Sequence, residues 1–334
     1  MYNKPNQQNV VGLFQKDATL HTIANNFQRK GFVFAPFNSE KEAILFPLEF
    51  SDCVFDVFEK KRVNVEKDDY FNDNSKKNHV ALVEKAVDAI HKNRFEKVVL
   101  SRKEIIALEE VDIWTIYNRL LQNYPNAFVY VWFHPAIGLW FGATPETLVK
   151  VEDNRFSTMA LAGTQVYKEK GAVHWTSKEV EEQELVTAYI IEKLSTFSAD
   201  LKKSATETVR AGTLLHLQTK IDGKLNEMNQ EALFDLIQLL HPTPAVCGFP
   251  KDVSKEFILE HEDYNRSYYT GFLGELNLDF NKNKNSHLFV NLRCMEVENY
   301  TAAIYVGGGI TSASNPVKEW EETVAKSNIM YKVL

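Results

Sequence analysis

A lysine at the start of an apolar run is the feature that most limits how this 334-residue chain can fold. Lys97 is followed by Val98, Val99 and Leu100, and a run of β-branched and apolar residues predicts a buried strand. Burial disfavours the charged form of a lysine, so Lys97 could act as a base. The alternative is that Lys97 simply ends a strand at the surface. Carboxylates later in the chain favour the first interpretation.

The composition is typical of a globular protein, with 44% hydrophobic and 12% aromatic residues, enough for one large core or two fused half-domains. The net charge of −7 comes from acidic residues spread along the chain, which argues against nucleic-acid or membrane-surface binding. The three cysteines lack a Cys-x-x-Cys spacing, as is typical of reduced thiols. No apolar run is long enough to span a membrane, so we expect a soluble, cytoplasmic protein.

Apolar periodicity predicts helices and strands in alternation along most of the chain. Short strands are expected in the first seventy-odd residues, and the charged stretch 59–77 suggests a boundary near residue 75. Helices are predicted over residues 78–91, through 113–120, from Thr176 onward, through 233–240 and from Asn315 onward. Strands are predicted over residues 128–133 and 138–142 as a hairpin, over 156–164, and in a meander from 269 to 306.

Two of the predicted helices each carry a pair of glutamates three residues apart. Glu179 and Glu182 share one face of the helix that begins at the Thr176 capping box, and Glu319 and Glu322 share a face of the last helix. Like charges on one face repel each other unless a cation lies between them. A sparse set of carboxylate ligands suits Mg²⁺ with retained waters, so we predict a magnesium site between these helices.

Three other positions could serve a small anionic substrate. Glu146 follows Pro145, at the start of a strand or in a bulge from which its side chain could enter a cavity. Arg293 lies at the end of an apolar strand, where a guanidinium is costly unless it meets an anion. Residues 307–309 are three glycines, predicted to form a flexible loop whose N–H groups could bind a carboxylate. A surface glutamate and a plain glycine turn are the alternatives.

Two features are ambiguous when taken singly. Small residues at 159–164 permit close backbone approach to a ligand, and His216 in its apolar run is either a hydrogen-bonded core histidine or a ligand. The sequence contains no zinc-type cysteine and histidine cluster, Walker motif, dinucleotide fingerprint or nucleophilic serine motif. The remaining set of a base, an acid, an arginine and a metal site suits acid/base chemistry on a carboxylated substrate.

Seven motifs, taken together and in this order, resemble those of the chorismate-utilising enzyme family. They lie at residues 97–102, 143–146, 161–164, 240–245, 292–294, 307–310 and 316–323. The resemblance covers about residues 75 to 330. It implies a single large α+β domain with two antiparallel sheets packed face to face, helices outside, and a Mg²⁺-dependent site between them. Residues 76–334 would be the chorismate-binding catalytic region, and residues 1–75 a strand-rich segment integrated with that core.

Within the family, the chain is most similar to isochorismate synthase. Members that add ammonia usually have glutamine where this chain has Lys97, and aminodeoxychorismate synthases have lysine where it has Ala162. By this resemblance, Lys97 would deprotonate a water that attacks C2 of chorismate. Glu146 would protonate the departing C4 hydroxyl. No glutaminase partner is expected, and the product would supply menaquinone or a siderophore.

The resemblance also implies the ligands of the metal and of the substrate. Glu182 and Glu322 would bind Mg²⁺ directly, Glu179 and Glu319 would support it through water, and the metal would hold the ring carboxylate. Arg293, Tyr269 and the amides of Gly308 and Gly309 would hold the enolpyruvyl carboxylate. The full substrate-binding set would be Ala162, Gly163, Thr164, His216, Tyr269, Arg293, Gly308, Gly309 and Lys326.

One position departs from the family pattern. The metal-binding helix of the family typically contains Lys-Asp-x-x-Glu-His, whereas residues 178–183 have Glu179 at the aspartate and Gln183 at the histidine. Glu179 preserves the carboxylate. The role of the missing histidine is left open.

Two other functions are compatible with the same motifs. A salicylate synthase would make isochorismate and then eliminate pyruvate in the same pocket; Tyr269 and Leu292 suit this activity, whereas Ala245 and Val246 are more similar to the plain synthases. A catalytically silent chorismate binder is the second alternative. It would not need both a base and an acid, so the intact Lys97 and Glu146 pair argues against it.

Overall fold

The computed structural model describes residues 1–23, 27–58, 75–167, 173–212, 214–225, 230–278 and 285–334. The strands of these ranges form two antiparallel sheets. Sheet A has nine: β1 (Tyr2–Asn3), β2 (Asn9–Gln15), β6 (Ser51–Val57), β7 (Lys97–Ala107), β8 (Phe128–His134), β9 (Gly138–Thr144), β15 (Gly248–Phe249), β18 (Cys294–Glu298) and β19 (Thr301–Ile310).

Sheet B has ten strands. They are β3 (Thr22–Ile23), β4 (Gly31–Ala35), β5 (Ala43–Pro47), β10 (Thr147–Glu152), β11 (Arg155–Val166), β12 (Lys202–Lys203), β13 (Glu207–Ala211), β14 (Leu214–Lys224), β16 (Phe272–Leu276) and β17 (Ser286–Val290). The helices of the described ranges are α1 (Lys76–His91), α2 (Ile113–Asn123), α3 (Ser177–Leu194), α4 (Gln230–Leu240), α5 (Lys251–His261) and α6 (Pro316–Tyr331).

The two sheets pack face to face through a core of aromatic rings. Phe34 of β4 lies 4.6 Å from Trp132 of β8, and Phe128 of β8 stacks at 4.2 Å on Phe289 of β17, measured between ring centroids. The residues between these aromatics point the other way, because side chains alternate along a strand. Val129 of β8, for example, packs in a different cluster from its neighbour Phe128. Central strands are therefore apolar on both faces.

Helices cover the outer faces of both sheets. Buried residues of α3 and α4 pack in one core cluster with strands of sheet B, and those of α2 and α6 pack in another with strands of sheet A. Local signals fix where these helices begin. Asp112 accepts the Thr115 N–H at 3.1 Å before α2, and Asn315 accepts two N–H groups before α6, with Pro316 in the first turn. The predicted α+β fold of two packed antiparallel sheets is confirmed.

The first 57 residues contribute strands to both sheets, with β1, β2 and β6 in sheet A and β3, β4 and β5 in sheet B. The boundary suggested near residue 75 adjoins residues 59–74, which lie outside the described residues. Residues 279–284, which fall within the meander predicted from 269 to 306, also lie outside them. Among the helices that the structure describes, none has the length and apolar character needed to cross a membrane.

Two short connections pass from one sheet to the other at the same end of the sandwich. Residues 145–146 join β9 of sheet A to β10 of sheet B, and residues 291–293 join β17 of sheet B to β18 of sheet A. Glu146 and Arg293 are therefore located where the sheets separate, and both line the same cavity.

Candidate active site

A cavity between the ends of the two sheets collects most of the residues predicted from sequence. Its lining includes Glu146, Ala162, Gly163, Thr164, Glu182, His216, Tyr269, Arg293, Gly308, Gly309, Glu322 and Lys326. Leu292, Ala245 and Val246, which bear on the salicylate alternative, line it as well. Lys97, Glu179 and Glu319 lie directly behind this lining.

Lys97 is the first residue of β7 and its side chain is completely buried, with 0% exposure. The backbone is fixed on both sides, since Lys97 pairs with Phe249 of β15 and its carbonyl accepts the Ser254 hydroxyl at 2.9 Å. The ammonium nitrogen lies 2.9 Å from Glu182 Oε1. Lys97 therefore points into the protein beside the cavity, which excludes the alternative of a lysine at the surface.

Glu146 is a buried carboxyl group, 3% exposed, in the connection between the sheets. Its backbone is held because the Val290 N–H donates to the Glu146 carbonyl at 3.0 Å. Burial raises the pKa of Glu146 to about 8, against the opposing effect of the positive charges of Lys97, Arg293 and Lys326. Glu146 therefore carries a proton at neutral pH, as a general acid must.

Arg293 and His216 form a buried hydrogen-bonded pair. Arg293 Nη2 lies 2.8 Å from His216 Nε2, and His216 Nδ1 lies 2.9 Å from the Gly163 carbonyl oxygen. A guanidinium can only donate, so Nε2 accepts, and Nδ1 carries the proton that it donates to Gly163. Burial and the charge of Arg293 keep the pKa of His216 well below its usual range, in agreement with a neutral ring. His216 thus orients Arg293 at the cavity wall.

The backbone of Arg293 has a φ of 47°, in the left-handed region that residues other than glycine rarely adopt. Such strain persists only where the surrounding structure fixes it, and it is common at functional sites. Here it lets the chain leave β17 and enter β18 while the guanidinium stays in the cavity. The expectation that Arg293 ends a strand is wrong in detail, since β17 ends at Val290.

The prediction of a flexible glycine loop at residues 307–309 is wrong. These glycines belong to β19 and pair in register with β7, Gly307 opposite Ser101 and Gly309 opposite Val99. Strand β18 pairs with β19 only as far as Tyr305, so the opposite edge of this glycine segment is not covered by β18. A β-carbon on Gly309 would lie 2.3 Å from Glu182 Oε1. Glycine is therefore needed here for the close approach of Glu182.

Tyr269 and the bulged segment 162–164 complete the wall. Tyr269 is buried and stacks on Tyr305 with ring centroids 5.6 Å apart. The register of β11 with β14 shifts between Ala162 and Gln165, and Gly163 there has a φ of 68°. A β-carbon on Gly163 would lie 3.1 Å from Cβ of Glu179, so this bulge packs directly against α3.

Each of three glutamates beside the cavity is held by a lysine. The pairs are Glu182 with Lys97 at 2.9 Å, Glu322 with Lys326 at 2.6 Å, and Glu319 with Lys178. Burial works to raise the pKa of Glu182, but the charge and hydrogen bond of Lys97 and the charges of Lys178 and Lys326 together outweigh it, and the pKa lies below its usual range. Lys178 was missed from sequence, although its place four residues before Glu182 puts both on one helix face.

The carboxylates also fit a divalent cation. A β-carbon on Gly308 would lie 3.4 Å from Glu322 Oε1 and 3.7 Å from Glu319 Oε2, so the two carboxylates approach the same glycine. Oε2 of Glu319 is buried and has no hydrogen-bond partner among the described residues. Burial and the charge of Glu322 raise the pKa of Glu319. A cation between these oxygens would give Glu319 Oε2 a partner and would offset the repulsion between the charges of Glu319 and Glu322. Hard oxygen ligands suit Mg²⁺.

In their present arrangement these groups do not form a ready metal cage. Within the described ranges, no three histidine, cysteine, aspartate or glutamate side chains are grouped as metal ligands. Glu179 accepts the Thr176 N–H at 2.9 Å in the predicted capping box, so its carboxylate serves the start of α3. Its support of the metal through water stays a prediction.

Gln183, the departure from the family motif, attaches α3 to sheet B. Its side chain is 2% exposed, and Nε2 donates to the Ala160 carbonyl at 3.1 Å and to Thr219 Oγ1 at 3.0 Å. These bonds fix the helix turn that presents the neighbouring Glu182 to the cavity. Gln183 thus holds α3 against sheet B at the position where the family motif has histidine.

Comparison with known proteins identifies the family of this chain. The sequence profile described as "Chorismate binding enzyme" matches residues 51–334. Isochorismate synthase EntC of Escherichia coli (strain K12) is 33% identical over 251 residues, which cover 71% of this chain and 62% of that protein. Isochorismate synthase MenF of Bacillus subtilis (strain 168) is 27% identical over 262 residues, covering 75% of this chain and 54% of that protein. The chain thus covers less than two thirds of the length of either relative.

Two solved structures share the fold. The structure of DhbC from Bacillus anthracis has a TM-score of 0.81 at 22% identity and covers 99% of this chain and 95% of that chain. MenF from Escherichia coli has a TM-score of 0.79 at 19% identity and covers 100% of this chain and 87% of that chain. The profile match extends over most of the chain and confirms the resemblance predicted from the motifs. The chain belongs to the family of chorismate-binding enzymes.

Proposed function

We propose that this protein is an isochorismate synthase, which isomerises chorismate to isochorismate. The observation that carries the proposal is the pair of Lys97 and Glu146: Glu146 is a buried, protonated carboxyl group that lines the cavity, and Lys97 is a buried amine in contact with the lining residue Glu182. This pair supplies a base and an acid, which a protein that only binds chorismate does not need. The relatives named as isochorismate synthases support the same reaction.

The reaction needs one proton removed and one proton supplied. In the proposed mechanism, the unprotonated Lys97 amine takes a proton from a water molecule as the water oxygen forms a bond to C2 of chorismate. The double bonds of the ring shift, the C4–O bond breaks, and Glu146 gives its proton to the departing hydroxyl, which leaves as water. One water is consumed and one is released, so the reaction is balanced. Lys97 and Glu146 then exchange protons with solvent to begin again.

The substrate carries two carboxylates, and the cavity offers cations for both. Arg293, oriented by His216, and the Gly308 and Gly309 backbone would bind the enolpyruvyl carboxylate, with Tyr269 beside them. Lys326 donates to the Gly307 carbonyl at 2.8 Å and adds a second positive charge to the lining. Among the described residues, Arg293 has no carboxylate partner, and a buried cation without an anion is costly, so an anionic ligand suits this site.

Mg²⁺ is the proposed cofactor, with Glu182 and Glu322 as direct ligands and Glu179 and Glu319 in support. The ion would supply a positive charge for the ring carboxylate of the substrate. Lys97 acts as a base only once Glu182 no longer holds it as an ammonium ion. The proposal therefore requires that Glu182 gives up its contact with Lys97, and Glu322 its contact with Lys326, when the two glutamates bind the metal.

We further propose a cytoplasmic enzyme that acts without a glutaminase subunit, because Lys97 replaces the glutamine of ammonia-adding members. Its product would supply menaquinone or siderophore biosynthesis. Proteins named as menaquinone-specific and vibriobactin-specific isochorismate synthases occur among the similar structures and sequences, which supports either route.

The test is product analysis with purified protein, chorismate and Mg²⁺, with an EDTA control. Isochorismate in equilibrium with chorismate, without pyruvate above background, is the expected result. Salicylate with stoichiometric pyruvate would show the alternative synthase instead. Absence of any turnover, with chorismate still bound, would contradict the proposal and favour a binding protein.

A further inference from the structure

An ion pair behind the cavity wall connects several segments that form the wall. Arg266 Nη2 lies 2.5 Å from Glu262 Oε1, and Arg266 Nε donates to Glu262 Oε2 at 2.7 Å. Both side chains are 2% exposed, and neither lines the cavity. The two residues lie in the connection after α5, so the pair is not part of a regular helix.

The guanidinium of Arg266 also holds three residues that do line the cavity. It donates to the Val99 carbonyl at 2.7 Å, to the Val246 carbonyl at 3.1 Å and to Thr270 Oγ1 at 3.3 Å. These three acceptors belong to β7, to the segment after α4 and to the segment that carries Tyr269. One side chain thus connects three wall segments that are distant in sequence.

The carboxylate of Glu262 extends the same contact along β7. Glu262 Oε1 accepts the Ser101 N–H at 2.7 Å and the Ser101 hydroxyl at 2.8 Å. Strand β15 pairs with β7 only at Lys97 and Val98, so Arg266 and Glu262 bind the edge of β7 just beyond the point where β15 ends. The opposite edge of the same stretch of β7 pairs with Gly307 and Gly309.

The chemistry of the pair requires both partners. Burial works to lower the pKa of Arg266, but the carboxylate of Glu262 outweighs it and raises that pKa above its usual value. The guanidinium also lies over the ring of Phe37, 4.7 Å from its centroid. A planar group with five N–H donors can meet Glu262 and three other acceptors at once, which the single ammonium of lysine cannot do.

We propose that Arg266 and Glu262 are positioning residues of the active site. The pair holds β7, and therefore Lys97, in fixed relation to the segment of Tyr269 and Thr270. The inference rests on the proposed function, because its main readout is chorismate turnover. Misplacement of catalytic groups by as little as 1 Å can cost about a hundredfold in rate. We therefore expect kcat/KM for chorismate to fall, but not to be abolished, when the ion pair of Arg266 and Glu262 is weakened.

The test compares Glu262→Gln and Arg266→Lys with the control Glu275→Gln. Glu275 is another buried carboxylate with two partners, the Tyr2 hydroxyl at 2.6 Å and Lys4 at 2.5 Å, and it does not line the cavity. For each variant, the midpoint of thermal unfolding is measured first. The kcat and KM for chorismate are then measured at a temperature well below that midpoint. Glu262→Gln keeps the shape of the side chain and is the variant expected to fold if Arg266→Lys does not.

We expect kcat/KM to fall about 10- to 100-fold in Glu262→Gln and Arg266→Lys. The control Glu275→Gln should lose stability but keep kcat and KM within about twofold. Unchanged kcat and KM in Glu262→Gln, or an equal loss in Glu275→Gln, would overturn the inference. A wild-type protein that does not turn over chorismate would instead contradict the proposed function, which separates the two failures.

Discussion

The ammonium of Lys97 and the carboxylate of Glu182 form an ion pair with an Nζ to Oε1 distance of 2.9 Å. The first residue of β7 and the second turn of α3 thus meet at the cavity wall. Gly309 permits this contact, since a β-carbon there would lie 3.0 Å from Lys97 Cε. The proposed base, Lys97, and the proposed metal ligand, Glu182, are therefore ion-pair partners. Release of this ion pair would free the Lys97 amine and the Glu182 carboxylate at the same time.

Replacing Lys97 by alanine should abolish most of the turnover while chorismate binding persists. General base catalysis contributes about 10²- to 10⁴-fold, so kcat should fall by at least about 100-fold. Steady-state kinetics and calorimetric titration with chorismate measure the two quantities. Lys103→Ala, at an exposed position of the same strand, is the matched control and should retain full activity. Normal turnover by Lys97→Ala would remove this residue from the mechanism.

The protonation of Glu146 predicts the pH dependence of the reaction. Its pKa of about 8 lies above the usual value of a carboxyl group, so the acid form is present at neutral pH and is lost as pH rises through about 8. We expect kcat/KM to decrease on that alkaline limb. Glu146→Gln should lower kcat by about 100-fold or more, and Glu152→Gln, at an exposed position of β10, should not. A wild-type profile that stays flat through pH 8 would count against Glu146 as the acid.

Mg²⁺ should stabilise the folded protein, because a ligand that binds only the native state raises its stability. The midpoint of thermal unfolding should therefore rise with Mg²⁺ concentration and return to its starting value with EDTA. Glu319→Gln should reduce this rise, since it removes a buried carboxylate beside Glu322. Glu321→Gln, at an exposed position of the same helix, is the control. An equal rise in both variants would argue against Glu319 as part of the site.

Gln183→Ala should destabilise the protein and weaken metal binding together. The substitution leaves the Ala160 carbonyl and Thr219 hydroxyl without the Gln183 donor, and a lost buried hydrogen bond costs about 1–3 kcal/mol. Loss of a group that supports a metal ligand typically lowers affinity about 10- to 100-fold. Urea unfolding and the Mg²⁺ concentration needed for half-maximal thermal stabilisation measure the two effects. Glu184→Ala, exposed on α3, should change neither; a Gln183→Ala protein with wild-type stability would show that these bonds are dispensable.

Local signals in the sequence predicted much of the fold. The predicted helices and strands end within a few residues of the observed ones. The signals were runs of β-branched and aromatic residues for strands, and the capping box at Thr176 and the proline at 316 for helices. Most of the site residues predicted from the motifs line one cavity in the structure. Glu146 was expected where a strand begins, and the register shift after Thr147 agrees with that position.

What sequence reasoning missed depends on contacts between distant segments. Three consecutive glycines favour a turn locally, but pairing with β7 extends residues 307–309 into a strand. The contact of Lys178 with Glu319 joins residues 141 positions apart, and the bond from Arg266 to Val99 joins residues 167 positions apart. No spacing rule along one helix or strand detects such partners.

The most direct test of the central claim is the fate of the water oxygen. Chorismate is converted by the purified protein with Mg²⁺ in oxygen-18 water, and the product is examined by mass spectrometry after the shortest measurable conversion. If Lys97 activates a water that attacks C2, the isochorismate carries one heavy oxygen, on its C2 hydroxyl. Isochorismate formed without the label would contradict the mechanism, because its C2 oxygen would then come from the substrate itself.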